Sequence, residues 1–207
     1  MLPGISDILA DFSLSDASPE LAPPEPARDI FAARPRKAWD KSTEARCNFE
    51  YRPRLTKKTA RVWFLSIWQK SLMGRTLTEI KSDPAEIPHF AEAVSDFILS
   101  LLGPSLAAGG WCVCTTPKRR HKVRNFATLV AADIACRLGI PFYEDVALCR
   151  SRERVNAVFD LNVLPGEPNV IVFDDFVTTG STLDAMHRLL APLGKTLVFV
   201  AGINNKL

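Results

Sequence analysis

Residues 170–182 read VIVFDDFVTTGST, and this short segment carries the side chains most able to do chemistry. An apolar, β-branched run ends in two acids, then in a turn of Thr, Gly and Ser that opens a stretch of helical spacing. A small-residue turn at a helix start offers several free N–H groups and the positive end of the helix dipole, which together attract an anion. Gly180 lets the backbone approach a phosphate closely, while Thr178, Thr179, Ser181 and Thr182 add hydroxyl donors. Asp174 and Asp175, just upstream, are acceptors suited to sugar hydroxyls or to the waters around Mg2+. Acids beside a phosphate cradle have the wrong sign for phosphate alone and make sense for a phosphorylated sugar. The plain alternative is an acid-ended strand followed by an ordinary capped helix.

The elements that must position these residues alternate in rhythm. Residues 111–115, 145–149, 169–173 and 196–203 read as strands, and 122–138 and 182–193 as helices stopped by Gly139 and Gly194. Residues 150–167 form a long polar connection. Strands that are apolar throughout, separated by helices, predict an α/β fold: a parallel sheet covered by helices on both faces, with ligands at the carboxyl ends of its strands.

The residues before this core divide in two. The first 35 hold six of the 15 prolines and a net charge of −5 through residue 33, and read as a poorly ordered lead or an extended strap. Residues 36–104 read as a basic, helical segment packing on the core. Within it, 59–73 carries an apolar band wide enough for a buried helix, and a second helix begins at Pro88 and is stopped by Gly103–Pro104. The core domain then runs from 105 to 207.

Charge and cysteine usage restrict the setting. The chain has 26 basic and 23 acidic residues, but 34–61 alone is net +7, with Trp39, Phe49 and Tyr51 interleaved. Such a stretch suits a nucleic-acid backbone, or else neutralises the acidic lead or covers a core edge. No run of about 18 apolar residues argues for a membrane span. Five cysteines with no CxxC pair exclude a zinc ribbon and a disulfide framework, and point to a cytoplasmic setting. Cys112 and Cys114 flank Val113, so a strand would turn both to one face.

The 170–182 segment closely resembles the PRPP-binding signature of the type I phosphoribosyltransferases: an apolar strand, two acids, two variable residues, then T-T-G-x-T. The resemblance implies that Asp174 and Asp175 hold the ribose 2- and 3-hydroxyls and that Thr178, Thr179, Gly180, Ser181 and Thr182 bind the 5-phosphate. Mg2+ would enter with PRPP, near the acid pair, with no direct protein ligand. The family's pyrophosphate loop would fall on Thr115, Thr116, Pro117 and Lys118. Residues 116–126 are similar to the ComF-like branch, where a Pro and a basic loop follow the first strand, although its R-G-F-N element stands here as Arg124-Asn125-Phe126. The family's mobile catalytic hood corresponds to the region of Arg150, Arg152 and Arg154, whose cations would receive the departing pyrophosphate. This segment is shorter than in ComF-like proteins.

Two functions follow from the resemblance. One is an enzyme that transfers a phosphoribosyl group from Mg–PRPP to a nitrogen nucleophile. The other is a non-catalytic module that senses PRPP or a nucleotide, associated with nucleic acid through residues 34–61. A homodimer is an expectation of the same kind. Asn204, Asn205 and Lys206 fall at the ligand-facing end of the last strand.

Overall fold

A computed structural model describes residues 45–118, 124–150 and 158–206. Ten strands in chain order are β1 (Arg46–Cys47), β2 (Arg54–Lys57), β3 (Trp63–Gln69), β4 (Arg75–Thr76), β5 (Trp111–Thr115), β6 (Phe142–Tyr143), β7 (Ala147–Cys149), β8 (Phe159–Leu161), β9 (Asn169–Val177) and β10 (Thr196–Asn204). The helices are α1 (Leu77–Ser82), α2 (Glu86–Ala107), α3 (Phe126–Leu138) and α4 (Ser181–Leu190). Six strands form one sheet in the order β2-β3-β10-β9-β5-β6. All its pairs are parallel except β2–β3, so the sheet is mostly parallel, with an antiparallel edge. β1 and β4, and separately β7 and β8, make small antiparallel pairs.

The central strand shows why the sheet is covered on both sides. In β9, Ile171 and Phe173 join a buried cluster with Phe90, Val94 and Ile98 of α2 and Val130 and Ile134 of α3. Val170 and Val172 point the other way, into a cluster with Leu183, Met186 and Leu190 of α4. Cys112 and Cys114 share that second face, as their spacing predicts. Burial pushes the Cys112 thiol up to about 12, and Cys114 also upward, so neither is a reactive thiolate.

Two expectations give way. Residues 59–73 do not form a helix: Trp63–Gln69 is a strand inside the sheet, hydrogen-bonded to both β2 and β10. A strand buried on both faces is an unbroken apolar run, which spacing alone cannot separate from a buried helix. A tight turn decides it. Lys58 N donates to Val62 O at 2.7 Å, and Thr59 Oγ1 accepts from the amides of Arg61 and Val62, reversing the chain into a hairpin. The basic segment expected to pack on the core as helix thus supplies strands to the same sheet. Nor does Gly103–Pro104 stop α2, which continues to Ala107. Pro104 lies in the last turn, where it removes the one N–H that would pair with Ser100 O without ending the helix, and the chain leaves only at Gly109 and Gly110, both with positive φ.

By length and composition α2 alone among the described helices could cross a membrane, but its apolar face is the core: Phe90, Ala91, Val94, Phe97 and Ile98 are buried. Short α1 is fastened before it. Thr76 and Glu79 form a reciprocal capping box, and Arg75 bridges Asp83 and Glu86. This fastening fixes where Lys81, in the last turn of α1, can reach.

Candidate active site

β9 runs four residues beyond the expected strand end and carries both acids. The two carboxyls are engaged by different elements. Asp174 Oδ2 accepts from Thr182 Oγ1 of α4 at 3.0 Å, with Thr116, just past β5, also bearing on it. Asp175 Oδ2 pairs with Lys81 Nζ of α1 at 2.9 Å, and its Oδ1 accepts from the Phe176 amide at 2.8 Å. The Lys81 ammonium also lies 4.5 Å from the Phe176 ring centroid, a cation–π contact. Both acids are nearly buried.

Burial, and then the neighbouring charge of Asp175, push the Asp174 carboxyl up to about 7, against the opposing pull of Lys81 and the two threonines. Near neutral pH the Asp174 carboxyl is therefore about half protonated, beside an Asp175 carboxyl that faces Lys81. Such a pair can both accept from and donate to adjacent hydroxyl groups.

The loop that follows opens helix α4. Gly180 has φ +67°, a left-handed conformation that glycine takes without strain, and serves as N-cap of α4 with no side chain capping the first turn. Asp184 N donates to Gly180 O, closing that turn, and Thr179 and Ser181 hydroxyls lie 3.2 Å apart. The structure thus brings Thr178, Thr179, Gly180, Ser181 and Thr182 together at a helix N-terminus, within reach of Asp174. Gly180 itself is covered: a Cβ placed there would stand 2.7 Å from Lys58 Cδ.

The expected leaving-group side is arranged differently. Thr115, the last residue of β5, and Thr116 and Pro117 after it are buried, with Thr116 N donating to Phe173 O, so this turn is fixed beside β9. Lys118 does not face an open anion site: its ammonium pairs with Glu144 at 2.9 Å and Asp145 at 3.0 Å, and Glu144 also holds Arg124. Desolvation opposes its charge, but these hydrogen bonds outweigh it and hold the ammonium above its ordinary range. Arg150 bridges Asp160 across the β7–β8 hairpin at 2.7 Å and is largely exposed. Arg152 and Arg154 lie outside the described residues, as does most of the basic loop after Lys118. No group of three or more His, Cys, Asp or Glu side chains among the described residues is placed to hold a metal ion.

Sequence reasoning missed Lys81 and the placement of Lys58. Both come from far earlier in the chain, and only the fold brings them to the 174–182 segment. Of the residues expected at the end of β10, Asn204 Nδ2 donates to Thr56 Oγ1, and Lys206 Nζ donates to Lys57 O. Asn205 is fully buried, and neither atom of its carboxamide has a hydrogen-bond partner.

No family model matches the chain, and no curated protein matches it. Solved structures similar to it include adenine phosphoribosyltransferase from Saccharomyces cerevisiae, at 16% identity over 73% of this chain and 83% of that one, with a TM-score of 0.41. Another is orotate phosphoribosyltransferase from Aeropyrum pernix, at 19% identity over 62% of this chain and 64% of that one, TM-score 0.39. A third is a hypoxanthine-guanine phosphoribosyltransferase from Bacillus anthracis, at 21% identity over 57% and 68%, TM-score 0.40. These likenesses are distant.

Proposed function

We propose that this chain binds Mg–PRPP and transfers its phosphoribosyl group to a nitrogen nucleophile, releasing pyrophosphate. The observation that carries the reading is the 174–182 unit: two buried acids, Asp174 bonded by Thr182 and Asp175 paired with Lys81, leading into an uncapped helix N-terminus on a left-handed glycine. A sugar phosphate needs both halves, acceptors for its hydroxyls and N–H donors for its phosphate. Asp174 and Asp175 hold the ribose 2- and 3-hydroxyls, and residues 178–182 hold the 5-phosphate. Mg2+ arrives as part of the substrate. The bond from the anomeric carbon to the pyrophosphate oxygen breaks with its electron pair on oxygen. A nitrogen lone pair forms the new bond and the nitrogen then loses its proton. Thr115, Thr116 and Pro117 line the side from which pyrophosphate leaves, while Arg150, Arg152 and Arg154 supply cations from the hood.

A second reading has a specific observation in its favour. Lys118 and Arg150, two of the cations assigned to the leaving group, are each paired with acids. A module that senses PRPP or a nucleotide needs the cradle but not those cations. Pyrophosphate release decides between them. The full chain with Mg–PRPP and a panel of purine and pyrimidine bases should release pyrophosphate with at least one base. Binding of PRPP with no release for any base favours the sensor.

The exposed cations Arg52, Arg54 and Lys70 line a polar groove of about 350 Å3 with Pro53 and Gln69. This is the surface on which a nucleic-acid backbone would lie.

A further inference from the structure

The β2–β3 hairpin bends over the face that carries α4. Thr56 accepts from Asn204 at 3.2 Å, Lys57 O accepts from Lys206 Nζ at 3.0 Å, and the next residue, Lys58, lies on Gly180. A Cβ built on Gly180 would stand 2.7 Å from Lys58 Cδ, 2.9 Å from Cγ and 3.1 Å from Cε. The alkyl chain therefore runs along the glycine. Its ammonium, one bond past Cε, stands within about 5 Å of the same point.

This placement is held from the other side. The backbone of the turn is pinned by the Lys58 N to Val62 O bond and by Thr59 Oγ1, so the side chain leaves a fixed base. No hydrogen bond or ion pair engages the Lys58 ammonium among the described residues. In that respect it differs from Lys81, Lys118 and Arg150, whose charges are each met by an acid.

A second observation at the same corner is independent of Lys58. Asn205 N donates to Val177 O at 2.8 Å, which sets the residue immediately before the 178–182 loop. Its side chain is fully buried with both polar atoms unpaired. A buried amide in that condition is destabilising unless another polar group satisfies it.

We propose that Lys58 supplies the counter-charge to the phosphate that the 178–182 loop takes, closing the cradle over Gly180, with Asn205 as the adjoining polar contact. The inference rests on the reading of that loop given above. Gly180 is then required for two reasons, the left-handed turn and the close passage of Lys58.

The test uses the full chain carrying Lys58→Met, which keeps the alkyl cover and removes the charge, and Lys58→Arg, which keeps a charge. Each is titrated calorimetrically with ribose 5-phosphate and with Mg–PRPP, and its melting temperature is measured. Lys58→Met should weaken both ligands about 10- to 100-fold at unchanged melting temperature, and Lys58→Arg should stay within about threefold of wild type. Equal or tighter binding by Lys58→Met, with wild type binding normally, would mean that the side chain only covers the loop, and overturns this inference alone. If wild type binds neither sugar phosphate, the reading of the loop falls and this inference falls with it.

Discussion

Asp174→Asn should make the fold more stable above neutral pH while removing one of the two acids proposed to hold the ribose. The carboxyl stands at about 7 in the folded chain, against about 3.9 when unfolded. At about 1.4 kcal/mol per unit, ionising it in place costs on the order of 4 kcal/mol. The folded state holds this proton over a pH range in which the unfolded state has lost it. The group's contribution is therefore full below about pH 4 and is lost as pH rises through about 7. Between about pH 5 and about pH 8, the wild type should lose roughly 3 kcal/mol through this one group, and the Asn variant should not. For a chain of this size that corresponds to roughly 6–12 °C in melting temperature. Scanning calorimetry of both proteins at the two pH values isolates the effect. Any loss of the Thr182 hydrogen bond lowers the variant equally at both, so the diagnostic quantity is the change in the gap between them. A gap that stays constant with pH, or that moves in favour of the wild type at high pH, would refute the raised Asp174 carboxyl.

Three further perturbations probe the surroundings. Gly180→Ala places a methyl group against Lys58 and forces a side chain into φ +67°, so stability should fall by about 1–2 kcal/mol and ribose 5-phosphate binding should be lost; normal binding would put the anion elsewhere. Lys81→Met removes a cation that lowers Asp174, so the Asp174 titration should move further upward; carboxyl-carbon NMR across the neutral range would show it, and an unmoved midpoint would separate Lys81 from the pair. Arg52→Glu with Arg54→Glu should abolish salt-sensitive binding of a short single-stranded DNA, measured by fluorescence anisotropy at two salt concentrations; binding that survives the reversal removes the groove as its site.

The parts legible in the sequence are those whose residues lie together along the chain. The strand, acids and glycine turn of 170–182 state their own geometry, because a strand feeding a helix through small residues leaves few alternatives. Asn125 as N-cap and Gly139 as the left-handed stop of α3 are legible for the same local reason. The run WFLSIW fits a helix as well as a strand, because a strand largely buried on both faces lacks the alternation that would distinguish it. Lys81 and Lys58 were out of reach for a different reason. Their roles depend on α1 and the β2–β3 turn folding back over the carboxyl end of β9, and no spacing within either segment encodes that. The pairing of Lys118 with Glu144 and Asp145 belongs to the same class. A basic run after a strand invites an anion, and only the fold shows which acids stand beside it. Asp145, one of those acids, stands in a left-handed conformation with φ 54°, which aspartate adopts more readily than most side chains.

The proposed function requires the 174–182 unit to work as a ribose-phosphate site. Its most direct test is a calorimetric titration of Mg–PRPP into the full chain and into Asp174→Asn/Asp175→Asn, with circular dichroism confirming that both are folded. Binding to the wild type that disappears in the double variant is the predicted result. Absence of binding to the wild type, or equal affinity in the folded double variant, would contradict it.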